Sequence, residues 1–282
     1  MNIILGTAQL MDGYGLAKKK LKNNDLNRIL NFAKRKKYYF LDTAIAYQDV
    51  DQKLSNLNLK KFNILTKVNN LHNKKTIEDL KKSKKLMRIS KFHTIFLHDE
   101  KELISKKKND NFKKLKKLKS LNLTKYIGLS AYSKKNTIKI IKNFKIDALQ
   151  LPVNLFDRRF LDKNFLSIVK KKKIKIFFRS IFLQGTLVDE KLYKRENKLD
   201  KSRYFKNYFE WLKKNKKEPI KLTLNFLNQM GVKKAIIGVS NSNEYKEILK
   251  HVNFSKKIQI PNFDIKQTDD NYIFRTDYWK IK

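Results

Sequence analysis

The chain has 282 residues, with 67 lysines and arginines, 26 aspartates and glutamates, four histidines and no cysteine. This length suits one α/β barrel or a two-domain enzyme and is enough to bury a sizeable core. The lack of cysteine excludes disulfides and thiolate metal sites and agrees with a reducing compartment. Residues 1–10 reach a glycine after three apolar residues and carry no basic leader, unlike a signal peptide or a membrane span. We therefore expect a cytoplasmic protein.

The formal charge of +41 suggests nucleic acid or an anionic membrane surface as a partner. Arginine, which reads phosphates and base edges with paired N–H groups, occurs only nine times. The lysines lie in every helical segment and not in one block. The pattern therefore favours a lysine-rich solvated surface, with no membrane partner and no specific nucleic-acid partner. A nucleic-acid-binding protein stays open as the weaker alternative.

We expect any binding of DNA or RNA to be weak and independent of base sequence, because scattered lysines release counterions without reading bases. Titration of two labelled duplexes of unrelated sequence at rising salt concentration measures this. Both affinities should fall steeply with salt and stay alike. Nanomolar, sequence-selective binding at physiological salt would contradict the interpretation of the lysines as a solvated surface.

Eight short apolar runs, rich in β-branched and aromatic residues, are the predicted strands. They span residues 2–8, 39–44, 62–68, 94–99, 126–132, 148–154, 174–182 and 234–240. Apolar residues three and four apart in the lysine-rich segments between them predict amphipathic helices. These patterns cover residues 26–35, 77–87, 112–121, 137–144, 165–173, 222–230 and 245–252. Buried strands that alternate with helices indicate a parallel sheet covered by helices.

Eight such units favour an α/β fold of the (β/α)8 TIM-barrel type, with a single domain over residues 1–282. An open dinucleotide-binding sheet would show a Gly-x-Gly-x-x-Gly turn after its first strand, and the glycines of GTAQLMDGYG (6–15) are spaced differently. No proline- or glycine-rich linker divides the chain. The widest gap in the pattern, residues 185–218, predicts an extra helix or a loop over the barrel mouth.

The C-terminal ends of the predicted strands carry a ring of polar residues, and the active site of such a barrel is built there. The ring consists of Thr7 to Gln9, Asp42 with Tyr47, Lys67, His98 with Asp99, Ser130, Gln150 with Asn154, Arg179 with Ser180, and Gly238 to Ser240. Polar strand ends occur in any barrel, so a single position has little weight. An acid, a tyrosine, a lysine and a histidine on three successive strands favour a catalytic site at Asp42, Tyr47, Lys67 and His98.

The opening LGTAQLMDGYGLA (5–17) resembles that of a bacterial branch of the aldo-keto reductase family, and later segments resemble this family in the same order. They are FLDTAIAY (40–47), ILTKV (64–68), FLHD (96–99), YIGLSAYS (126–133), LQLPVNLFDRR (149–159), RSIFLQGTL (179–187) and AIIGVSNSNEYKEIL (235–249). The resemblance covers nearly the whole chain. It implies an NAD(P)H-dependent oxidoreductase that reduces an aldehyde or ketone, sugar-like or small and aliphatic, to an alcohol.

The resemblance implies that Tyr47 is the general acid of a tetrad completed by Asp42, Lys67 and His98. Carbonyl reduction forms an alkoxide, which must receive a proton. A phenol with an unperturbed pKa of about 10 is a reluctant donor at neutral pH, and we expect the Lys67 ammonium to lower the pKa of Tyr47. Asp42 would then orient the lysine, and His98 would hydrogen-bond the substrate oxygen.

The resemblance also implies NADP(H) as the cofactor, with NAD(H) as a second candidate. The implied contacts are Gly6, Thr7, Ser130, Gln150, Arg179, Ser180, Leu183, Gly185, Gly238, Ser240 and Glu244. Within this set, the carboxamide and its ring would face Ser130 and Gln150, and the pyrophosphate would lie near Ser180 and Leu183. The remaining turn, from Gly238 to Glu244, would hold the adenosine phosphate. The sequence shows no cluster of metal ligands, so no metal is expected.

Three positions depart from the family pattern. Arg179 stands where many members place an aromatic ring against the nicotinamide, and Ala131 follows Ser130 where an asparagine is usual. Glu244 stands where NADPH-specific members carry an arginine for the 2′-phosphate. A barrel that keeps the nicotinamide cofactor as a regulatory protein, without turnover, is the alternative to an enzyme. The sequence identifies neither the substrate nor the oligomeric state.

Overall fold

Eight parallel strands form a closed barrel in the computed structural model, which describes residues 1–47, 49–254, 260, 263, 265–276 and 278–279. The strands are β1 (Asn2–Gly6), β2 (Phe40–Asp42), β3 (Asn63–Val68), β4 (Phe92–Leu97), β5 (Thr124–Ser130), β6 (Ala148–Pro152), β7 (Lys175–Arg179) and β8 (Lys234–Ile237). Each pairs with its successor, and β8 closes the barrel against β1. The (β/α)8 barrel is therefore confirmed, with every apolar run as a strand. The extension of one domain over all of 1–282 stays a prediction.

Eleven α-helices occur among the described residues. They are α1 (Asn23–Arg35), α2 (Val50–Ser55), α3 (Lys74–Leu86), α4 (Lys108–Ser120), α5 (Lys134–Asn143), α6 (Lys163–Lys171), α7 (Glu190–Tyr193), α8 (Asn197–Asp200), α9 (Arg203–Lys214), α10 (Pro219–Gln229) and α11 (Ser242–His251). All seven predicted helices are present, and each begins about one turn before its apolar pattern. Apolar periodicity misses this first turn because polar residues such as Asn73, Ser133 and Asp162 cap it, accepting backbone N–H groups with their side chains.

The gap at residues 185–218 contains three helices, α7, α8 and α9. The extra helix predicted there is α9, whose aromatic side chains are buried against the segment that follows β6. The Phe156 ring lies 5.1 Å from that of Phe205 and 5.5 Å from that of Tyr208. Burial of these aromatic rings holds the insertion against the barrel, although its sequence is mostly polar. The first residues of the insertion lie at the barrel mouth.

The barrel interior is filled by a small apolar cluster: Ile4, Leu65, Phe96, Ala148, Phe177 and Ile236. Gly128 faces this cluster, and a Cβ atom there would lie 2.5 Å from the Phe96 ring and 2.8 Å from the Ala148 carbonyl oxygen. Only glycine therefore leaves Phe96 room to fill the barrel. Within the described part of the chain, no helix is both long enough and apolar enough to cross a membrane.

Candidate active site

A cleft with a volume of about 340 Å³ opens at the C-terminal ends of the strands. Most of the predicted site residues line it: Gly6, Asp42, Tyr47, Lys67, His98, Ser130, Gln150, Arg179, Ser180, Gly185, Gly238, Ser240 and Glu244. They come from all eight strands or the segments that directly follow them. Parallel strands that end at the same rim bring these distant positions together.

A buried ion pair joins the ends of β2 and β3. Asp42 is aligned with Leu65, so Lys67, two residues further along β3, reaches back on the same face of the sheet. Its Nζ lies 2.7 Å from Asp42 Oδ2 and donates a second hydrogen bond to the Thr43 carbonyl oxygen at 2.9 Å. Gln150 Nε2 donates to the other Asp42 oxygen at 2.7 Å. Since both side chains are almost fully buried, these bonds replace the water that the two charges lose.

Tyr47 lies in the turn after β2, where its backbone N–H bonds the Ala44 carbonyl oxygen. Lys67 Nζ is 5.6 Å from the centre of the Tyr47 ring. Burial raises the pKa of Tyr47 above its ordinary value, and the Asp42 charge raises it further, whereas the Arg179 charge lowers it. The pKa of Tyr47 is therefore raised and not lowered as expected, because burial and the Asp42 charge outweigh the opposing charge of Arg179.

His98 directly follows β4 and bonds the Val68 carbonyl oxygen through its backbone N–H at 2.9 Å. Burial lowers the pKa of the imidazole to about 4, and the charges of Lys67 and Arg179 act in the same direction. His98 is therefore neutral at neutral pH, with one ring nitrogen as donor and the other as acceptor. A neutral imidazole in the cleft suits hydrogen bonding to a substrate oxygen.

Two tyrosines of the cleft were not identified from the sequence. The centre of the Tyr14 ring lies 6.5 Å from that of Tyr47, and burial raises the pKa of Tyr14. Tyr132 also lines the cleft, with the Arg179 guanidinium 4.1 Å from its ring centre. Both tyrosines lie in segments that resemble the family. Their rings line the cleft because of the backbone conformation of the segments after β1 and β5, which the sequence does not show.

The polar groups of the cleft floor fit a nicotinamide. Gln150 is fully buried and uses its amide N–H on Asp42, while its Oε1 atom has no hydrogen-bond partner among the described residues. A buried acceptor without a partner costs free energy and is suited to an amide N–H from a ligand. Ser130 lines the cleft beside it, since the two residues are aligned in the β5–β6 pairing. A carboxamide would satisfy these groups.

Thr7 and Leu183, two of the residues implied as cofactor contacts, do not line the cleft. Thr7 is fully buried and donates its backbone N–H and its Oγ1 hydroxyl to the Asp42 carbonyl oxygen, at 2.9 and 3.1 Å. Leu183 packs its side chain in the apolar core. Its backbone belongs to a turn in which Ser180, Leu183 and Gly185 all have positive φ (59°, 49° and 87°). Strained backbone, here at the non-glycine residues Ser180 and Leu183, is common beside active sites.

The turn between β8 and α11 carries two carboxylates on its backbone N–H groups. Glu244 Oε2 accepts the Ser240 N–H at 2.7 Å, and its other oxygen accepts from the Asn241 side chain at 3.2 Å. Asp25 Oδ1 accepts the Ser242 N–H at 3.0 Å. The backbone N–H groups at the start of a helix attract anions. Here two carboxylates of the chain already accept two of these N–H groups.

Glu218, Glu247 and His251 bring three metal-ligand atoms within 4.8 Å of one another, a group among the described residues that the sequence did not reveal. Lys250 Nζ lies 2.7 Å from Glu247 and Lys221 Nζ lies 3.9 Å from Glu218. The lysines already compensate these carboxylates, and the group lies outside the cleft.

The C-terminal mouth of the barrel thus carries a buried ammonium–carboxylate pair, a tyrosine with a raised pKa and a neutral histidine in one cleft. The sequence model of the Aldo/keto reductase family matches residues 2–266. The chain belongs to this family and is therefore an oxidoreductase. A comparison with curated proteins gave no match.

Solved structures with a similar fold include oxidoreductases from several organisms. A glycerol dehydrogenase from Gluconobacter oxydans is 16% identical, with a TM-score of 0.68 over 91% of this chain and 87% of that one. An aldo-keto reductase from Bacillus halodurans is 15% identical, with a TM-score of 0.68 over 91% and 88%. An aldose reductase from Schistosoma japonicum is 16% identical, with a TM-score of 0.62 over 91% and 85%. At these identities the likeness concerns the fold.

Proposed function

We propose that the chain reduces the carbonyl group of a small aldehyde or ketone to an alcohol with NAD(P)H, and that Tyr47 is the general acid. The observation that carries this proposal is the buried Lys67–Asp42 pair, with Tyr47 and His98 beside it in one cleft. The same proposal places the enzyme in the cytoplasm, since a chain without cysteine suits a reducing compartment.

Tyr47, Lys67 and His98 would each have a separate task in the proposed reaction. A reduced nicotinamide bound in the cleft would supply a hydride. Tyr47 would give its proton to the carbonyl oxygen as negative charge develops there, which completes the alcohol. The raised pKa keeps the Tyr47 phenol protonated over the neutral range. The Lys67 ammonium would stabilise the phenolate left after transfer, and neutral His98 would orient the oxygen by a hydrogen bond.

Cofactor oxidation tests the proposal directly. The purified chain is incubated with NADPH or NADH and a panel of aldehydes, ketones and sugars, while absorbance at the nicotinamide band and formation of the alcohol are followed together. We expect cofactor consumption that depends on the carbonyl compound and matches the alcohol formed. Cofactor binding without turnover on any of the panel would favour a regulatory barrel, and the absence of both would refute the proposal.

Glu244 decides the choice of cofactor in this proposal. Its carboxylate lies on the Ser240 N–H, where it would repel a 2′-phosphate but accept ribose hydroxyls. Lys246 and Lys250 lie on the same helix and could bind the phosphate in place of an arginine, although in the structure they contact Phe32 (4.9 Å) and Glu247 (2.7 Å). We propose that both cofactors bind, with a preference for NADPH that is weaker than is usual in the family, or inverted.

Replacement of Glu244 by arginine should shift the ratio of the two dissociation constants toward NADPH by about tenfold, which equals ~1.4 kcal/mol. The variant removes the carboxylate and adds a guanidinium that can bind the phosphate. Fluorescence titration with both cofactors measures the ratio. Glu247→Arg, with the same change of charge on the same helix but outside the cleft, is the control. Equal ratios in the two variants would mean that Glu244 does not face the adenosine ribose.

A further inference from the structure

Arg179 is the last residue of β7, and its guanidinium lies in the cleft with most of its hydrogen-bonding capacity unused. It lies 4.1 Å from the centre of the Tyr132 ring. One terminal nitrogen donates to Ser180 Oγ at 3.2 Å and the other to the Ala131 carbonyl oxygen at 3.3 Å. Both bonds are long, and a guanidinium has five N–H groups. Three N–H groups therefore have no acceptor among the described residues.

The charge of Arg179 also has no counter-ion among the described residues. Lys19, Lys67 and Arg179 are the cationic side chains that line the cleft among the described residues. Lys67 is paired with Asp42 at 2.7 Å, and Lys19 is exposed to solvent at the rim. No described carboxylate forms an ion pair with Arg179, which is only partly exposed. A partly desolvated cation without a counter-ion favours binding of an anion.

Arg179 lies close to the groups that would act on the substrate. Arg179, Tyr47, Tyr14 and His98 all line the one cleft, as does Tyr132, against whose ring the guanidinium lies. The Arg179 charge lowers the pKa of Tyr47, Tyr14 and His98, in agreement with this placement. An anionic group of the substrate would meet Arg179 in the cleft that also holds Tyr47.

We infer that the cleft selects carbonyl compounds that carry a carboxylate, and that Arg179 binds this carboxylate. The family resemblance implied a cofactor contact for Arg179; the inference assigns it a substrate contact instead, because its guanidinium already lies against the Tyr132 ring, 4.1 Å from the ring centre. The inference rests on the proposed reductase function and specifies its substrate class. A carboxylate fits better than a phosphate dianion, because a single planar guanidinium offers two parallel N–H groups and one positive charge. The Tyr132 ring holds the guanidinium plane by a cation–π contact, which orients it before the substrate binds.

A matched pair of substrates tests this selectivity. We would compare 4-oxobutanoate with its methyl ester, which keeps the aldehyde and the carbon skeleton but removes the charge. The wild-type chain should show a kcat/KM at least tenfold higher for 4-oxobutanoate. Arg179→Met should remove this preference, mainly by lowering kcat/KM for 4-oxobutanoate, and Arg179→Lys should retain part of it. Lys19→Met, which removes the other unpaired cation of the cleft, should leave the preference unchanged.

Binding of an unreactive anion separates this inference from the proposed function. Calorimetric titration with butanoate and with butanamide, with and without NADH, should show binding of the anion alone, weakened at least tenfold in Arg179→Met. If neither aldehyde is reduced but butanoate binding depends on Arg179, the reductase proposal fails and the anion site stands. Equal kcat/KM for both aldehydes, or an equal loss for both in Arg179→Met, would overturn the inference, because Arg179 would then act on the cofactor or the alkoxide.

Discussion

Replacement of Tyr47 by phenylalanine should lower kcat for carbonyl reduction by about 10²- to 10⁴-fold, the usual contribution of a general acid. The change removes one oxygen from a ring that also contacts the apolar core, so the fold should be preserved. The dissociation constants of NADH and NADPH should stay nearly the same, because the hydroxyl acts on the alkoxide as it forms. Single-turnover absorbance at the nicotinamide band measures the rate, and fluorescence titration measures the affinities.

Tyr14→Phe is the matched control for this result. Tyr14 also lines the cleft, and its ring centre is 6.5 Å from that of Tyr47. Loss of its hydroxyl should cost much less rate, because the proposed reaction takes its proton from Tyr47 and not from Tyr14. A Tyr47→Phe variant that reduces a good substrate at the wild-type rate would show that another group donates the proton. If Tyr14→Phe is then the variant with the lower rate, Tyr14 is the candidate for that group.

The strands of the barrel could be predicted from sequence because a buried parallel strand needs an uninterrupted apolar run. Phe40 to Asp42 illustrates this: the run ends in a carboxylate at the point where the strand reaches the barrel mouth. The aligned ends of parallel strands then place Asp42 and Lys67 within reach of one another without any knowledge of the loops. This part of the candidate site follows from local pattern and topology alone.

The environment of these residues could not be predicted, because it depends on contacts between distant segments. The direction of the Tyr47 pKa shift depends on burial by elements far away in sequence. Likewise, the stacking of Arg179 on Tyr132 requires the relative positions of the segments after β5 and β7. Glu244 resembled a ribose contact from its place in the motif, but its capping of Ser240 depends on the conformation of the turn. In strands and helices the direction of a side chain follows a regular period along the sequence. In loops there is no such period, so the sequence does not predict the direction.

Replacement of Lys67 by methionine should destabilise the fold by about 3–5 kcal/mol, because it leaves the Asp42 carboxylate buried without a counter-ion. The side chains of both partners are almost completely buried, with relative exposures of 4% and 7%. The Gln150 amide would still donate to one Asp42 oxygen, but the other oxygen would lose its charged donor. Urea denaturation followed by circular dichroism measures the loss as a lower transition midpoint.

The double variant Asp42→Asn, Lys67→Met distinguishes an unpaired charge from a packing defect. It removes both charges and should recover a large part of the lost stability, since a buried pair replaced by neutral groups is often tolerated. The surface pair Lys119–Asp147, with a nitrogen–oxygen distance of 3.0 Å, supplies the control: Lys119→Met should cost less than about 1 kcal/mol. If Lys67→Met lowers the free energy of unfolding by no more than Lys119→Met, then the Asp42 carboxylate is not buried, in contradiction to the structure. A double variant as unstable as Lys67→Met alone would attribute the loss of stability to the packing of the lysine side chain and not to the unpaired charge on Asp42.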